Sequence, residues 1–292
     1  MIKILVLYFS GAGTTKKVAE MIHGRLSKEC DADICSVESN NVPTADGYNA
    51  LIISTPTYHA SPAKALMHYI DTIPRLDNEI PAFIYTTRGL ASLNTTRILT
   101  KKLWEKNIIT IMDGAYRGPA SDGSIFAPFI KRFFEFEKDI ESKISRDCAN
   151  FLDLLNNGKL QGYIPRFSFG SIINAPNKLA GKLITVKIHL HRDKCIKCGQ
   201  CVEKCPHTAF SIEQDNYSDK CTSCGLCADV CPTSNISLND SYPTWKSETC
   251  QRCLACLHLC PTACIQYGKI TKKRQRYRNP HVAIDELKRG NL

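Results

Sequence analysis

The chain has 292 residues, of which 43% are hydrophobic and 23% charged, with a formal net charge of +10. This length suits about two domains of roughly 150 residues, and the composition excludes a disordered or collagen-like chain. No apolar run approaches the ~18 residues that a membrane-spanning helix needs. The apolar start MIKILVLYFS lacks a small-residue cleavage site, so we interpret it as a strand and expect a cytoplasmic protein.

Strands and helices are predicted to alternate along the first half of the chain. Apolar runs predict strands at 2–9, 33–37, 50–54, 82–86 and 108–112, and helical patterns cover 15–28, 62–73, 93–106 and 127–155. Residues 38–48 leave little room for a helix, and the stretch 114–128, rich in turn formers, is predicted to be loop. This order predicts an α/β fold, a doubly wound parallel sheet of five strands with helices on both faces.

Three loops at the carboxyl ends of these strands are candidate ligand sites, because doubly wound sheets bind ligands at that edge. The first loop, SGAGTTKK at 10–17, leads into a helix start that favours an anion, although an ordinary glycine turn is the alternative. It matches neither GxGxxG nor GxxxxGK[ST], which disfavours dinucleotides and nucleoside triphosphates. The second loop, STPTYHASP at 54–62, offers hydroxyls and an aromatic ring, and the third is TTRGLAS at 86–92.

A phosphate cradle and a stacking ring at one sheet edge suit flavin mononucleotide (FMN). Tyr58 is the candidate stacking ring, with a half-exposed surface ring as the alternative, and His59 is a less favoured candidate for a catalytic acid. No catalytic residue is assigned. The candidate FMN-binding residues are Ser10, Gly11, Ala12, Gly13, Thr14, Thr15, Thr55, Pro56, Thr57, Tyr58, His59, Thr86, Thr87, Arg88 and Gly89.

The segment LYFSGAGTTKKVAE resembles the phosphate-binding fingerprint of flavodoxins, with Ser10, Gly13 and Thr15 at matching positions. It departs at Ala12, where flavodoxins often have a threonine, so one hydroxyl contact is lost and the backbone amides remain. The resemblance covers residues 1–157. It implies a flavodoxin-like fold that holds FMN non-covalently, with Tyr58 stacked on the flavin.

Cysteine divides the chain chemically, since thirteen of the 16 cysteines lie between Cys195 and Cys264. Twelve form three copies of C-x-x-C-x-x-C-x-x-x-C-P, at 195–206, 221–232 and 250–261. This spacing is typical of 4Fe-4S ligands, whereas zinc ribbons, the competing interpretation, use two separated pairs. The predicted ligands are Cys195, Cys198, Cys201, Cys205, Cys221, Cys224, Cys227, Cys231, Cys250, Cys253, Cys256 and Cys260.

Each repeat is followed by a strand-like tail, TAFSI, SNISL and ACIQY in turn. Because Cys250 follows Cys231 by a step of 19 residues, as is common in two-cluster ferredoxins, we pair the second and third repeats and treat the first as an added module. Two 4Fe-4S clusters are therefore expected, with a third on the added repeat. Cys264 is interpreted as a packing residue, with a thirteenth cluster ligand as the alternative, and the isolated Cys30, Cys35 and Cys148 are interpreted as packing residues.

The domain order and the basic tail after the last repeat resemble the flavodoxin-ferredoxin fusion proteins of anaerobes. We predict a flavodoxin-like FMN-binding domain at 1–157, a linker at 158–187, a small α+β ferredoxin-like domain at 188–268 and a basic tail at 269–292. The first cysteine repeat and the linker depart from the family's pattern. The resemblance implies the family's internal electron-transfer role.

These cofactors predict an electron-transfer flavoprotein that relays electrons between FMN and the clusters, and on to a partner such as a ferredoxin or a reductase. One alternative is a flavin-dependent reductase of a small substrate, assisted by His59 or Arg88. Another is an iron-sulfur redox sensor whose tail KKRQRYR binds nucleic acid, although solvated lysines are the usual explanation of such a run. We expect no membrane partner, do not favour nucleic acid, and leave a homo-oligomer open.

Overall fold

The computed structural model describes residues 1–39, 41–120, 129, 133–157 and 160–170, and the backbone of four short strands between 188 and 267. The first five strands are β1 (Lys3–Tyr8), β2 (Asp31–Ser36), β3 (Ala50–Pro56), β4 (Ile80–Arg88) and β5 (Ile108–Arg117). The helices are α1 (Thr14–Leu26), α2 (Lys64–Thr72), α3 (Thr95–Trp104) and α4 (Ile140–Asn157).

The five strands form one sheet in the order β2-β1-β3-β4-β5, and every neighbouring pair is parallel. The chain therefore winds outward in both directions from β1 and β3, and the loops after these strands flank the switch point. This is the doubly wound, flavodoxin-like topology that the sequence predicts.

Side chains of the strands alternate between two apolar cores. In β1, Ile4 and Val6 face α1 and α4, whereas Leu5 and Leu7 face α2 and α3. All four are fully or almost fully buried. We name the two sides the α1/α4 face and the α2/α3 face. A parallel sheet covered on both faces explains why its strands are almost continuously apolar in sequence.

Two predictions about the end of this sheet are wrong. Residues 114–117 are strand and not loop, because they pair in parallel with the end of β4, Tyr85–Arg88. Residues 133–139 are not part of the long helix, which begins at Ile140. They turn back onto the end of β5 instead: Glu137 N–H donates to the Arg117 carbonyl at 3.1 Å, and the Glu137 carboxylate accepts from Arg117 N–H at 3.3 Å.

The connection between β2 and β3 has one 3-10 turn, at Ala45–Gly47, and is otherwise loop over the described residues 37–39 and 41–49, as predicted. This loop covers part of the α2/α3 face without filling the space beside α2. An apolar cavity of about 180 Å³ lies between this loop and α2, and Val42, Leu51 and Leu66 are among its lining residues.

Four short strands lie before, between and after the cysteine repeats in sequence. β6 (Ile188–Leu190) pairs antiparallel with β9 (Ile265–Tyr267), and β7 (Ile236–Asn239) pairs antiparallel with β8 (Tyr242–Trp245). The predicted tails SNISL and ACIQY coincide with β7 and β9, and the tail TAFSI lies outside the described residues. In the part of the chain that the structure describes, no helix has the length and apolar character to cross a bilayer.

Candidate cofactor site

Threonine hydroxyls join the three predicted loops at the carboxyl ends of the strands. The hydroxyls of Thr15, at the start of α1, and Thr87, at the end of β4, are hydrogen-bonded at 2.7 Å. Those of Thr57 and Thr86 are also 2.7 Å apart, which ties the loop after β3 to β4. The structure therefore brings the three loops together at one edge of the sheet.

The loop after β1 has the features of an anion site. Gly13 precedes α1 with φ of 90°, a left-handed conformation that glycine adopts without strain. No side chain among the described residues caps this helix, and its first turn contains no acidic residue. Ser10 Oγ is buried and has no hydrogen-bond partner among the described residues. A phosphate would satisfy this hydroxyl and the uncapped N–H groups at the start of α1 together, so the residues present fit such a group.

Two other hydroxyls predicted for the phosphate are committed to the protein. Thr14 Oγ1 donates to the Pro119 carbonyl at 2.9 Å, and Thr15 is paired with Thr87 as described above. Lys16 Nζ lies 2.8 Å from a carboxylate oxygen of Glu20 on the next turn of α1. Ser10 thus remains the hydroxyl of this loop with no partner in the described structure.

The loop after β3 reverses sharply at its tip. Tyr58 and Ser61 exchange backbone hydrogen bonds of 2.9 and 3.0 Å, and His59 and Ala60 between them have φ of 49° and 63°. The Thr55 hydroxyl is fully buried and accepts from Ala63 N–H at 2.9 Å, so it holds this loop to α2. Tyr58 is half-buried and packs against the edge of the α2/α3 core, and His59 is exposed.

The loop after β4 meets the end of β5. A Cβ on Gly89 would lie 2.7 Å from Ala120 Cβ, so only glycine fits at this crossing. Arg88 turns its guanidinium to the carbonyl of Leu90 in the same loop. Pro119 and Ala120 therefore belong to the site region. They are not among the predicted site residues, because the composition of 114–128 predicts a loop and their partners Thr14 and Gly89 are distant in sequence.

Burial raises the pKa values of one tyrosine and two cysteine thiols of this domain. Burial raises the pKa of Tyr8, the last residue of β1, although Lys16 opposes the shift. Burial also raises the pKa of the Cys35 thiol and raises that of Cys148 to about 12. Cys30, Cys35 and Cys148 are not in disulfides.

The twelve predicted cluster ligands lie outside the described residues. The sequence places the first repeat after β6, the second before β7, and the third between β8 and β9. Since β6 pairs with β9, the strands at the two ends of this region meet and the three repeats lie between them in sequence. Among the residues that are described, no three His, Cys, Asp or Glu side chains are grouped to hold a metal ion.

Comparison with known proteins assigns a family to each half of the chain. A flavodoxin domain model matches residues 5–120, and two 4Fe-4S dicluster domain models match 188–238 and 220–264. The two dicluster matches share residues 220–238, so they span three cysteine repeats between them and use the second repeat in common. No curated protein sequence matches the chain significantly.

Solved flavodoxins resemble the first half of the chain. An archaeal flavodoxin is 13% identical, with 53% of this chain and 100% of that chain covered at a TM-score of 0.41. Flavodoxin 1 of Bacillus cereus is 17% identical, covering 52% and 97% at 0.39. A flavodoxin mutant of Fusobacterium nucleatum bound to flavin mononucleotide is 18% identical, covering 51% and 94% at 0.36. With the family models and the observed sheet, the chain is identified as a flavodoxin-ferredoxin fusion, a flavodoxin domain followed by 4Fe-4S dicluster domains.

Proposed function

We propose that this electron-transfer protein binds FMN at its three loops, exchanges electrons between that flavin and its own 4Fe-4S clusters, and passes them to a partner redox protein. One observation carries the proposal: a single chain joins a flavodoxin domain to 4Fe-4S dicluster domains. Covalent joining holds the two redox centres at high effective concentration. FMN exchanges one or two electrons, whereas each cluster passes one at a time.

The residues of the first loop bind the phosphate of FMN. Ser10 Oγ donates to a phosphate oxygen, and the N–H groups in the first turn of α1 supply the remaining contacts. The pairs Thr15–Thr87 and Thr57–Thr86 hold the loops at a fixed spacing. Tyr58, on the rigid tip of the loop after β3, covers one face of the flavin ring and limits the access of water.

The twelve repeat cysteines bind the clusters as thiolates. Three repeats of four cysteines supply ligands for three clusters, so we propose a third cluster beyond the two of a dicluster domain. We also propose that the FMN-binding domain ends at residue 157, the linker at 187 and the ferredoxin-like domain at 268. The tail 269–292 is rich in lysine and arginine, and its charge favours docking of an acidic partner such as a ferredoxin.

Anaerobic quantitation of iron, sulfide and FMN in the full chain tests the cofactor assignment. About twelve iron atoms and one FMN per chain support three cubanes and the flavin. Eight iron atoms would overturn the third cluster, and zinc in place of iron would overturn the assignment of all of them.

The kinetics of electron exchange test the relay. After photoreduction of the flavin, the cluster absorbance is expected to bleach at a rate that does not depend on protein concentration, because the transfer is intramolecular. A rate proportional to protein concentration would contradict the relay. Reoxidation of the flavin by a small substrate, without participation of the clusters, would favour the reductase instead.

The variant Ser10→Ala tests the phosphate site. We expect FMN binding to weaken by about 1.5–3 kcal/mol, roughly 10- to 100-fold, because a hydrogen bond to a charged group is lost. The FMN-free protein should lose no stability, since Ser10 Oγ has no hydrogen-bond partner in the part of the chain that the structure describes. Ser27→Ala, at the exposed far end of the same helix, is the matched control. Equal FMN affinities of the two variants in a fluorescence titration would contradict the assignment.

A further inference from the structure

Residues 160–170, which fall in the predicted linker, run along the flavodoxin domain as an extended segment. Helix α4 ends at the amino end of the sheet, where Leu155, Asn156 and Leu160 line one cavity together with Ile2 of the β1 end and Pro81 of the β4 end. From Leu160 the chain turns back toward the opposite end of the sheet. We name residues 160–170 the strap.

The first half of the strap is fixed to the edge strand β5. Tyr163 N–H donates to the Thr110 carbonyl at 2.9 Å, and the Tyr163 hydroxyl donates to Asp113 Oδ1 at 2.7 Å. A Cβ on Gly162 would lie 2.0 Å from Ile109 Cγ2, so the absence of a side chain lets the strap lie flush on β5. These contacts also cover an otherwise open sheet edge.

The second half of the strap is fixed to the start of α3. Arg97 Nη1 donates to the Pro165 carbonyl at 2.8 Å. Asn94 is the N-cap residue of α3, yet its side chain does not cap that helix. Instead Asn94 Oδ1 accepts from Ser168 N–H at 2.7 Å, and its Nδ2 lies 3.5 Å from the Ser168 carbonyl.

The strap therefore ends beside a predicted flavin loop. A Cβ on Gly170 would be 3.1 Å from Leu93 Cδ2, in the loop between β4 and α3. Cys195 follows Gly170 by 25 residues but follows the end of α4 by 38. The strap therefore reduces the number of residues between the last attachment to the flavodoxin domain and Cys195 from 38 to 25. It also moves the departure point, the place where the chain leaves this domain, from the amino end of the sheet to the carboxyl end.

Exposed apolar side chains mark this departure point. Phe167 and Phe169 are 46% and 75% exposed, and their rings form an edge-to-face pair with centroids 5.5 Å apart. Leu90, in the loop after β4, is 60% exposed. Contiguous exposed apolar groups are typical of contact surfaces, and the hydrogen bond from Ser168 N–H to Asn94 holds the backbone between these two rings.

We propose that the strap positions the cysteine repeats of this same chain beside the flavin loops, with Phe167 and Phe169 as the contact surface for residues 195–260. The continuity of the chain argues for this occupant, because the repeats begin shortly after the strap ends. The inference rests on the proposed relay: electron tunnelling decays exponentially with distance, so a relay requires the clusters at the flavin end of the sheet.

Paramagnetic broadening in NMR spectra of the full chain tests this placement without measuring electron transfer. Excess dithionite reduces the flavin by two electrons and leaves the reduced clusters as the paramagnetic centres. We expect the amide signals of residues 89–94 to be lost on reduction and those of 155–157, at the opposite end, to persist. Persistence of both sets of signals, or loss of the signals of 155–157 alone, would overturn the proposal that the strap positions the clusters beside the flavin loops.

Gly162→Val is the variant that lifts the strap, because its side chain would collide with Ile109. Its matched control is Gly47→Val, since a Cβ on Gly47 meets nothing within 4 Å. The amide signals of residues 89–94 should survive reduction in Gly162→Val and be lost in Gly47→Val. The double variant Asn94→Ala/Tyr163→Phe breaks the strap without added bulk and should behave as Gly162→Val does. Loss of these signals in both strap variants would overturn the proposal.

The failure of the relay is distinguishable from that of the strap. If broadening follows the expected pattern but flavin and clusters do not exchange electrons, the proposed relay is contradicted and the positioning of the clusters by the strap is supported. If intramolecular exchange is as fast in Gly162→Val as in the unaltered protein, the strap is not what positions the clusters. Phe167→Ser/Phe169→Ser keeps the strap's hydrogen bonds, and unchanged broadening in it would overturn the contact surface.

Discussion

The two faces of the sheet are covered to different extents. On the α1/α4 face, helices of 13 and 18 residues pack against a core that includes the contacting rings of Phe83, Tyr85 and Tyr116. On the α2/α3 face, helices of 9 and 10 residues share the cover with the loop between β2 and β3, and a cavity of about 180 Å³ remains. Where the loop between β2 and β3 replaces a helix, it therefore leaves a space beside α2 that Val42 and Leu66 line.

Thiol labelling should show the largest contrast between the faces. On the α1/α4 face, Cys148 is 1% exposed and burial raises its pKa to about 12, so at pH 8 the thiol stays protonated. Cys35, half-buried beside the α2/α3 core, is the comparison. Peptide mapping after iodoacetamide treatment should find Cys35 labelled and Cys148 protected. Similar labelling rates would mean that the α1/α4 face opens readily.

Removal of a buried hydroxyl tests the packing of α4. Tyr116 of β5 donates to Asp147 Oδ2 of α4 at 2.8 Å, and both residues are buried. Tyr116→Phe leaves this carboxylate without its donor, and we expect unfolding to become easier by about 1–3 kcal/mol. The measurement is the urea concentration at which Cys148 becomes half-labelled.

Tyr48→Phe is the matched control for this variant. Its hydroxyl donates to Asp33 Oδ2 at 2.7 Å near the partly exposed edge strand β2, where water can replace the lost donor. The expected loss is at most about 1 kcal/mol. A loss in Tyr48→Phe as large as that in Tyr116→Phe would contradict the difference in burial.

Adding one methylene should have opposite effects on the two faces. Val18 of α1 is fully buried in the α1/α4 core, so Val18→Ile should overpack it and cost about 1 kcal/mol or more. Val42 lines the cavity on the other face, so Val42→Ile should stabilise the fold by up to about 0.8 kcal/mol. Urea midpoints that shift in the same direction for both variants would show that the cavity cannot accept the added group.

The success of the sequence predictions depended on how local their determinants are. The strand β1 and the loop after it were predicted because an apolar run followed by Gly13 and hydroxyls is a local pattern. The extension of β5 to Arg117 was not, because it is stabilised by pairing with β4 against the turn-forming composition.

The role of Asn94 was also beyond local analysis. The Asn94 side chain would ordinarily cap α3, and its actual partner, Ser168, lies 74 residues away. The hydroxyl pair Thr15–Thr87 spans 72 residues. Such contacts follow from the topology of the sheet, which brings distant loops to one edge, and no periodicity in the chain signals them.

The smallest contrast concerns stability at alkaline pH. On the α2/α3 face, burial raises the pKa values of Tyr48 and Tyr69 to about 12, and the hydrogen bond to Asp33 adds to the shift of Tyr48. In the unfolded chain tyrosines ionise near pH 10. The folded chain thus retains protons that the unfolded chain has lost, and the free energy of unfolding should fall as pH rises from about 10 to about 12.

The double variant Tyr48→Phe/Tyr69→Phe removes two of the responsible groups, so its urea midpoint should fall less steeply between pH 10 and 11 than that of the unaltered protein. Tyr116→Phe tests the other face in the same way, since burial and Asp147 raise the pKa of Tyr116. Because Tyr116 is the more deeply buried group, it should remain protonated throughout this interval. An alkaline slope that neither variant changes would assign the pH dependence to groups other than these tyrosines.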